Sequence, residues 1–349
     1  MTLKYFTDAN SAAGYISLQK ENLAGISRIF HLINPVAQPI HELLSKISNT
    51  LTAQQLKLEY IYSTFNPNFL AGLVIRELDV AIISGKVAME ASDVIYMTSI
   101  YERSIIRKNQ DEIDRLQLNA NQFFKKMYMH LNAALHIHDE WEKIYVDRMD
   151  FKQADQFRKD LVARLFATDI PSHGAGSRVL RRFFGASTPS GLHDFIPELT
   201  TGLKRYLIKG RPGTGKSTLM KEIVEQAELL GYDVDVYHCS LDPKSLDMVV
   251  VPELNFCIFD ATAPHEYDVS FASDEIVDTY TAFIKDGTDE RCADILENVE
   301  ARYNNQIKSA LGAMKAGYEC REALGEIYQD AFIPSRFDEL EKRLISKLW

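Results

Sequence analysis

The octapeptide Gly210–Ser217 reads GRPGTGKS and meets every fixed position of the phosphate-cradling pattern GxxxxGK[ST]. That pattern constrains the chain more than any other stretch, because its chemistry needs these residue types in this order. Glycines let backbone N–H groups turn onto phosphate oxygens, a lysine reaches the β and γ phosphates, and a hydroxyl ligates Mg²⁺. Gly210, Arg211, Pro212, Gly213, Thr214, Gly215, Lys216, Ser217 and Thr218 are therefore the expected nucleotide contacts, with Thr218 at the α phosphate. The flanks agree. Tyr206 to Lys209 is β-prone, and Leu219, Met220, Ile223, Val224, Ala227 and Leu230 recur at helical spacing until Gly231 stops them. A strand, a glycine turn and a helix whose N-terminal dipole faces an anion is the context the motif requires.

Downstream, the apolar run Asn255–Phe259 (NFCIF) ends in Asp260, as a Walker B strand ends in the carboxylate that holds Mg²⁺. Ser217 and Asp260 are the expected metal-side residues, and ATP with Mg²⁺ the expected ligands. The loop that follows, DATAPHEYD, carries His265 and Glu266, which at the C-terminal edge of a sheet can orient a water or an acceptor hydroxyl. With Lys216 and Asp260 they form the candidate catalytic set. The second strand ends in His238, Cys239 and Ser240, followed by Asp242, at the same edge; because phosphate chemistry needs no thiolate, His238 and Cys239 are expected to pack beside the site.

The chain also repeats itself. At a constant shift of 177 residues Phe6, Ala9, Gly14, Glu21, Gly25, Arg28 and Pro35 meet Phe183, Ala186, Gly191, Glu198, Gly202, Arg205 and Pro212. At 176, Pro67, Leu70, Val74, Glu77, Leu78 and Ile82 meet Pro243, Leu246, Val250, Glu253, Leu254 and Ile258; at 183, Ile144, Tyr145, Leu161 and Leu165 meet Ile327, Tyr328, Leu344 and Leu348. Two copies of one unit follow. The Gly-, Ser- and Pro-containing run Ala167–Ser177 reads as a connector and sets domains at 1–170 and 171–349. The expected fold is α/β: tandem P-loop-type parallel sheets, with strands near 29–33, 59–63 and 79–83 and again near 206–209, 234–238 and 256–260. Each sheet is followed by a long helical part, from about Ser92 to Leu165 and from about Asp274 to Lys347.

The first copy has lost its chemistry. GRPGTGKS falls on Ile33–Ile40, INPVAQPI, so Pro39 replaces Lys216 and offers neither ammonium nor N–H, while Ser84 replaces Asp260. Charge follows: Arg178–Lys216 holds eight basic and two acidic residues, against three and two in Met1–Pro39. One working nucleotide site and one pseudo-site are expected.

Among the basic residues of that stretch, Arg211 is the one best placed to clamp a γ phosphate, while Arg181, Arg182 and Arg205 are expected on a solvated face. His130, His136 and His138 with Asp139, Glu140 and Glu142 contain a helical-turn pair, His138 and Glu142, that suits a metal; the apolar residues around them point instead to a helix packed on a neighbour.

The absence of [NT]KxD after the P-loop speaks against a guanine-reading GTPase, and Ala261 stands where mechanical ATPases keep a catalytic glutamate. FFGASTPSG (Phe183–Gly191), GRPGTGKST (Gly210–Thr218), VYHCSLDPKSLDMVVVPEL (Val236–Leu254) and FDATAPHEYD (Phe259–Asp268) resemble a family of bacterial tandem P-loop ATPase-like proteins. The resemblance covers most of the chain. It implies nucleotide binding and names no substrate; family members carry a usable P-loop in both halves, from which Ile33–Ile40 departs. Three activities fit: an ATPase, a small-molecule or nucleotide kinase, and a non-catalytic ATP-dependent switch that engages an unknown protein partner through its helical parts.

A net charge of −10 disfavours a chain that coats nucleic acid or an anionic membrane. Four scattered cysteines and no apolar run near the roughly 18 residues of a span lead to an expected cytoplasmic location.

Overall fold

A computed structural model describes residues 3–85, 92–172 and 176–349; the middle of the connector, 173–175, lies outside the described residues. The first repeat runs β1 (Leu3–Tyr5), a hairpin of β2 (Asp8–Ser11) and β3 (Gly14–Ser17), the one-turn α1 (Gln19–Asn22), β4 (Arg28–Ile33), α2 (Gln38–Ala53), β5 (Glu59–Tyr62), β6 (Leu70–Ile75), β7 (Val80–Ser84), β8 (Asp93–Tyr96), α3 (Arg103–Lys108), α4 (Gln110–Val146) and α5 (Phe151–Leu165). The second follows the same plan. It has β9 (Val179–Arg182), a hairpin of β10 (Gly185–Thr188) and β11 (Gly191–Asp194), α6 (Ile196–Leu199), β12 (Lys204–Lys209), α7 (Lys216–Leu230), β13 (Val234–His238), β14 (Leu246–Val251), β15 (Phe256–Asp260), β16 (Glu275–Asp278), α8 (Thr288–Arg291), α9 (Ala293–Asp330) and α10 (Pro334–Ser346).

Each repeat builds a six-stranded sheet, in the order β1-β5-β6-β7-β4-β8 and, strand for strand, β9-β13-β14-β15-β12-β16. The sheets are mixed, not parallel as expected. β6 and β14 run antiparallel to both neighbours, because only seven residues separate each from the preceding strand, too few for the crossover that parallel pairing needs. The helical parts also begin later than expected: the residues just after Ser92 and Asp274 pair as the edge strands β8 and β16, and the long helices open only at Gln110 and Ala293.

α4 and α9, of 37 and 38 residues, lie antiparallel along one another, which brings Phe124 beside Gly317 and Glu140 beside Arg302. A Cβ on Gly317 would stand 2.7 Å from the Phe124 ring, so glycine is what lets the helices approach there. Ala120, Met127, Leu131, Ala310 and Met314 fill the seam.

The terminal helix of each repeat packs on the sheet of the other. Leu161 and Leu165 of α5 join the core of Leu219, Ile223, Ile208 and Val249 in the second repeat. Their equivalents Leu344 and Leu348, with Phe337 and Leu340 of α10, join Leu43, Ile47, Leu73 and Ile82 in the first. A shared core joins the two sheets directly: Val74, Ala81 and Ile83 pack with Leu207, Met248 and Phe259 in one cluster. At its centre the equivalent residues Phe6 and Phe183 exchange two backbone hydrogen bonds, of 2.9 and 2.8 Å, so the repeats meet about a local two-fold axis. Beside it the buried Arg182 guanidinium bridges Glu59 at 3.3 Å and Asp235 at 3.4 Å and stacks 4.3 Å over Tyr5. Burial tends to lift the Glu59 carboxyl, but Arg182 and Arg76 overcome it and hold it below the usual range. Arg182 is thus an interface residue and not part of a solvated basic face.

Candidate active site

The turn 210–215 joins β12 to α7 at the C-terminal edge of the second sheet. Gly213 and Gly215 adopt φ of +75° and +79°, left-handed conformations that side chains resist, and Gly215 caps α7. Gly210 is fixed for another reason: a Cβ there would stand 2.2 Å from Thr279 Oγ1 and 2.5 Å from Thr214 Oγ1. Thr214 bonds Arg211 O and Thr279, which locks the turn. Thr218 is exposed one residue beyond Ser217, and Pro212 lies half-buried in the turn.

Lys216 opens α7 and points across to β15, the parallel neighbour of β12. Its ammonium is 3.3 Å from Asp260 Oδ2 and donates to Thr262 Oγ1 at 3.2 Å and Arg211 O at 3.3 Å. The other Asp260 oxygen accepts the Thr262 N–H and hydroxyl. Ser217 Oγ accepts from Leu246 N at 2.9 Å, which ties the helix start to β14. Ser217 and Asp260 are hard oxygen donors of the kind that Mg²⁺ takes, so this edge fits the ion.

A carboxylate that sequence reasoning missed completes the site. Asp247 on β14 lies one residue beyond the Met248–Phe259 pair and so stands beside Asp260 on the next strand. Burial, and then the charge of Asp260, push its carboxyl up to about 6, against the pull of His265, Cys239 and Lys216. A lone charge in the apolar run LDMVVV was the available signal. Cys239 is correspondingly a thiol: burial, then Asp247, raise it well above the ordinary value.

Other sequence-singled residues are held by structure. His265 Nδ1 sits 3.0 Å from Asp194 Oδ2, its ring against Phe184, while Glu266 is exposed. Asp194 is raised by burial, yet its bonds from His265 and Tyr267 hold it below the usual range. His238 Nε2 accepts from Arg181 at 3.1 Å and its Nδ1–H donates to Pro243 O at 2.7 Å, and burial lowers its basicity. Arg211 pairs with Asp289 at 2.9 Å and lies over Tyr280; Arg205 pairs with Asp274 and Ser270. Both guanidinium groups are thus committed to carboxylates.

α4 reaches this site. A Cβ on Gly213 would stand 2.6 Å from the carbonyl oxygen of Glu142, so the C-terminal end of the long helix lies directly on the turn. His138, Asp139 and Glu142 bring ligand atoms within 4.8 Å of one another, and His130 bonds Gln306 of α9 at 2.8 Å. In the first repeat Ile33–Ile40 has no such chemistry: Pro39 is buried at the start of α2, where its fixed φ suits a helix, and Ala71 and Ser84 stand for Asp247 and Asp260.

Comparison with protein-family models, curated proteins and solved structures returned no match. No described helix is long and apolar enough to cross a membrane.

Proposed function

We propose that the chain is a Mg²⁺-ATP-binding P-loop protein with ATPase activity, of the tandem kind it resembles, with one working nucleotide site in the second repeat. The observation that carries the reading is the setting of Lys216, which follows a left-handed glycine turn at a helix N-terminus and lies 3.3 Å from Asp260 on the adjacent strand. Backbone N–H groups of 210–215 and the Lys216 ammonium would neutralise the β and γ phosphates. Ser217 and Asp260 would hold Mg²⁺, which supplies charge neutralisation at the transferred phosphoryl group. Asp247, beside Asp260 and with its carboxyl pushed up to about 6, is the carboxylate best suited to take a proton from an attacking water. His265 is committed to Asp194 and serves to position the loop.

A second reading, the ATP-dependent switch, is favoured by the contact of Glu142 with Gly213. A nucleotide that moves the turn must also move α4 of the first repeat, and through the α4–α9 seam the long helix α9. Phosphate release from Mg²⁺-ATP by the purified chain tests the first reading; slow or absent release with retained binding supports the second, and a phosphorylated product that requires an added acceptor supports a kinase. Turnover that survives in a folded Lys216→Ala variant would overturn the site. The four cysteines are free thiols, in keeping with a reducing, cytoplasmic setting.

A further inference from the structure

The first repeat carries a cleft of about 810 Å³ at the place equivalent to the nucleotide turn, and both repeats build it. One wall is the degenerate turn, Asn34 to Gln38, with Ile40 and the end of β7; the other is α9, from Tyr318 to Asp330. This volume lies within the roughly 300–1,000 Å³ range of small-molecule sites and far exceeds what one phosphate needs.

Its polar groups differ in kind from those of the second repeat. Pro39, Ala71 and Ser84 leave no lysine or carboxylate at the positions of Lys216, Asp247 and Asp260. A cation enters from the opposite wall instead: Arg321, equivalent to His138 at the shift of 183, faces the cleft. Its guanidinium lies 4.9 Å from the Phe65 ring centroid and 5.0 Å from that of Phe124. Among the described residues it has no hydrogen-bonded or ion-paired partner, and burial depresses its basicity. A desolvated guanidinium held only by aromatic faces is costly unless an anion meets it. Across the cleft, Asn34 spends its amide N–H groups on Val36 O and Tyr101 Oη, both at 2.7 Å, and keeps a buried Oδ1 with no partner.

Charge decides the class of anion. Asp8, Glu322, Glu326 and Asp330 also line the cleft, so a polyphosphate would meet one cation and four acids. A single carboxylate or sulfonate on an apolar, aromatic body fits: the anion on Arg321, the body against Val36, Ile40 and Leu324, and a donor toward Asn34.

We propose that this cleft is a second ligand site, chemically distinct from the nucleotide site, which takes a small organic mono-anion with an apolar body. The test uses the full chain and the aromatic mono-sulfonate 8-anilinonaphthalene-1-sulfonate, with fluorescence titration for affinity and equilibrium dialysis for stoichiometry, on protein whose circular dichroism is native. One saturable site per chain is expected. Arg321→Gln should weaken it by at least about tenfold, the size of one lost charge-assisted bond. Ala37→Trp, which places an indole in the cleft from an exposed position, should block it even if Arg321→Gln fails to fold. Lys216→Ala should leave it unchanged, which separates this site from the nucleotide site. No saturable binding, an affinity within twofold of wild type in both cleft variants, or loss of binding in Lys216→Ala would overturn the proposal.

Discussion

Phe337→Ala in α10 should unfold structure at the opposite end of the sequence. Phe337 is 3% exposed and packs in the core of the first repeat with Leu43, Ile47 and Leu73, its ring tilted against Phe332 and beneath Lys46. Removing a buried phenyl group costs about 3–5 kcal/mol, a third or more of the roughly 5–15 kcal/mol that holds a domain together. Because α10 belongs to the second repeat by sequence and to the first by packing, the loss should fall on α2, β4 and β6. Hydrogen exchange read by mass spectrometry reports it peptide by peptide. Protection should drop in 38–53 and 70–75 and stay near wild type in 204–230. The mirror variant Leu161→Ala, in α5, should cost about 2–5 kcal/mol and loosen β12 and α7 instead. Loss of protection confined to the repeat that carries the mutation would refute the reciprocal packing.

The same packing predicts that residues 171–349 expressed alone aggregate, since α10 then presents Phe337, Leu340 and Leu344 to water and β12 loses Leu161; a monodisperse, fully active fragment would contradict this. Asp247 gives a pH signature. Its folded carboxyl is raised from 3.8 to about 6, so its protonated form stabilises the fold below pH 4, and that contribution is lost as pH rises from about 4 to 6. Asp247→Asn should therefore raise stability by up to about 3 kcal/mol at pH 7 in Mg²⁺-free buffer, with the gain gone below pH 4, and should lose turnover. Urea melts across that window check the sign, and a pH-independent difference would remove the coupled-carboxylate account. Asp260→Asn keeps shape but removes charge; nucleotide should still bind in part while Mg²⁺ dependence disappears, and an unchanged Mg²⁺ titration would assign the ion to another group.

Much of this arrangement is written locally. Glycines at positive φ, an amphipathic helix and an apolar strand that ends in Asp260 are short-range signals, and ordered pairs such as Phe6 and Phe183 expose the repeat before any contact is known. The antiparallel β14 is less legible because VVV at its end reads equally as a strand of either direction; the seven-residue link alone decides. Edge strands of four residues, β8 and β16, lie against long helical patterns that absorb them. Asp247 was missed since a charge in a strand gains meaning only when its neighbour across the ladder is Asp260. The crossing of α5 and α10 is invisible to periodicity, which says that Leu161 and Leu344 are buried but not against which sheet.

The central claim, one working nucleotide site that depends on Lys216, is tested most directly by calorimetric titration of Mg²⁺-ATP into the wild-type chain and the Lys216→Ala variant. Removal of the one mobile cation on the β and γ phosphates, with only Pro39 at the equivalent place, should turn a stoichiometry of one per chain into no measurable binding. Two sites of similar affinity in the wild type, or one site that survives Lys216→Ala in folded protein, would contradict the account and give the first repeat a nucleotide chemistry of its own.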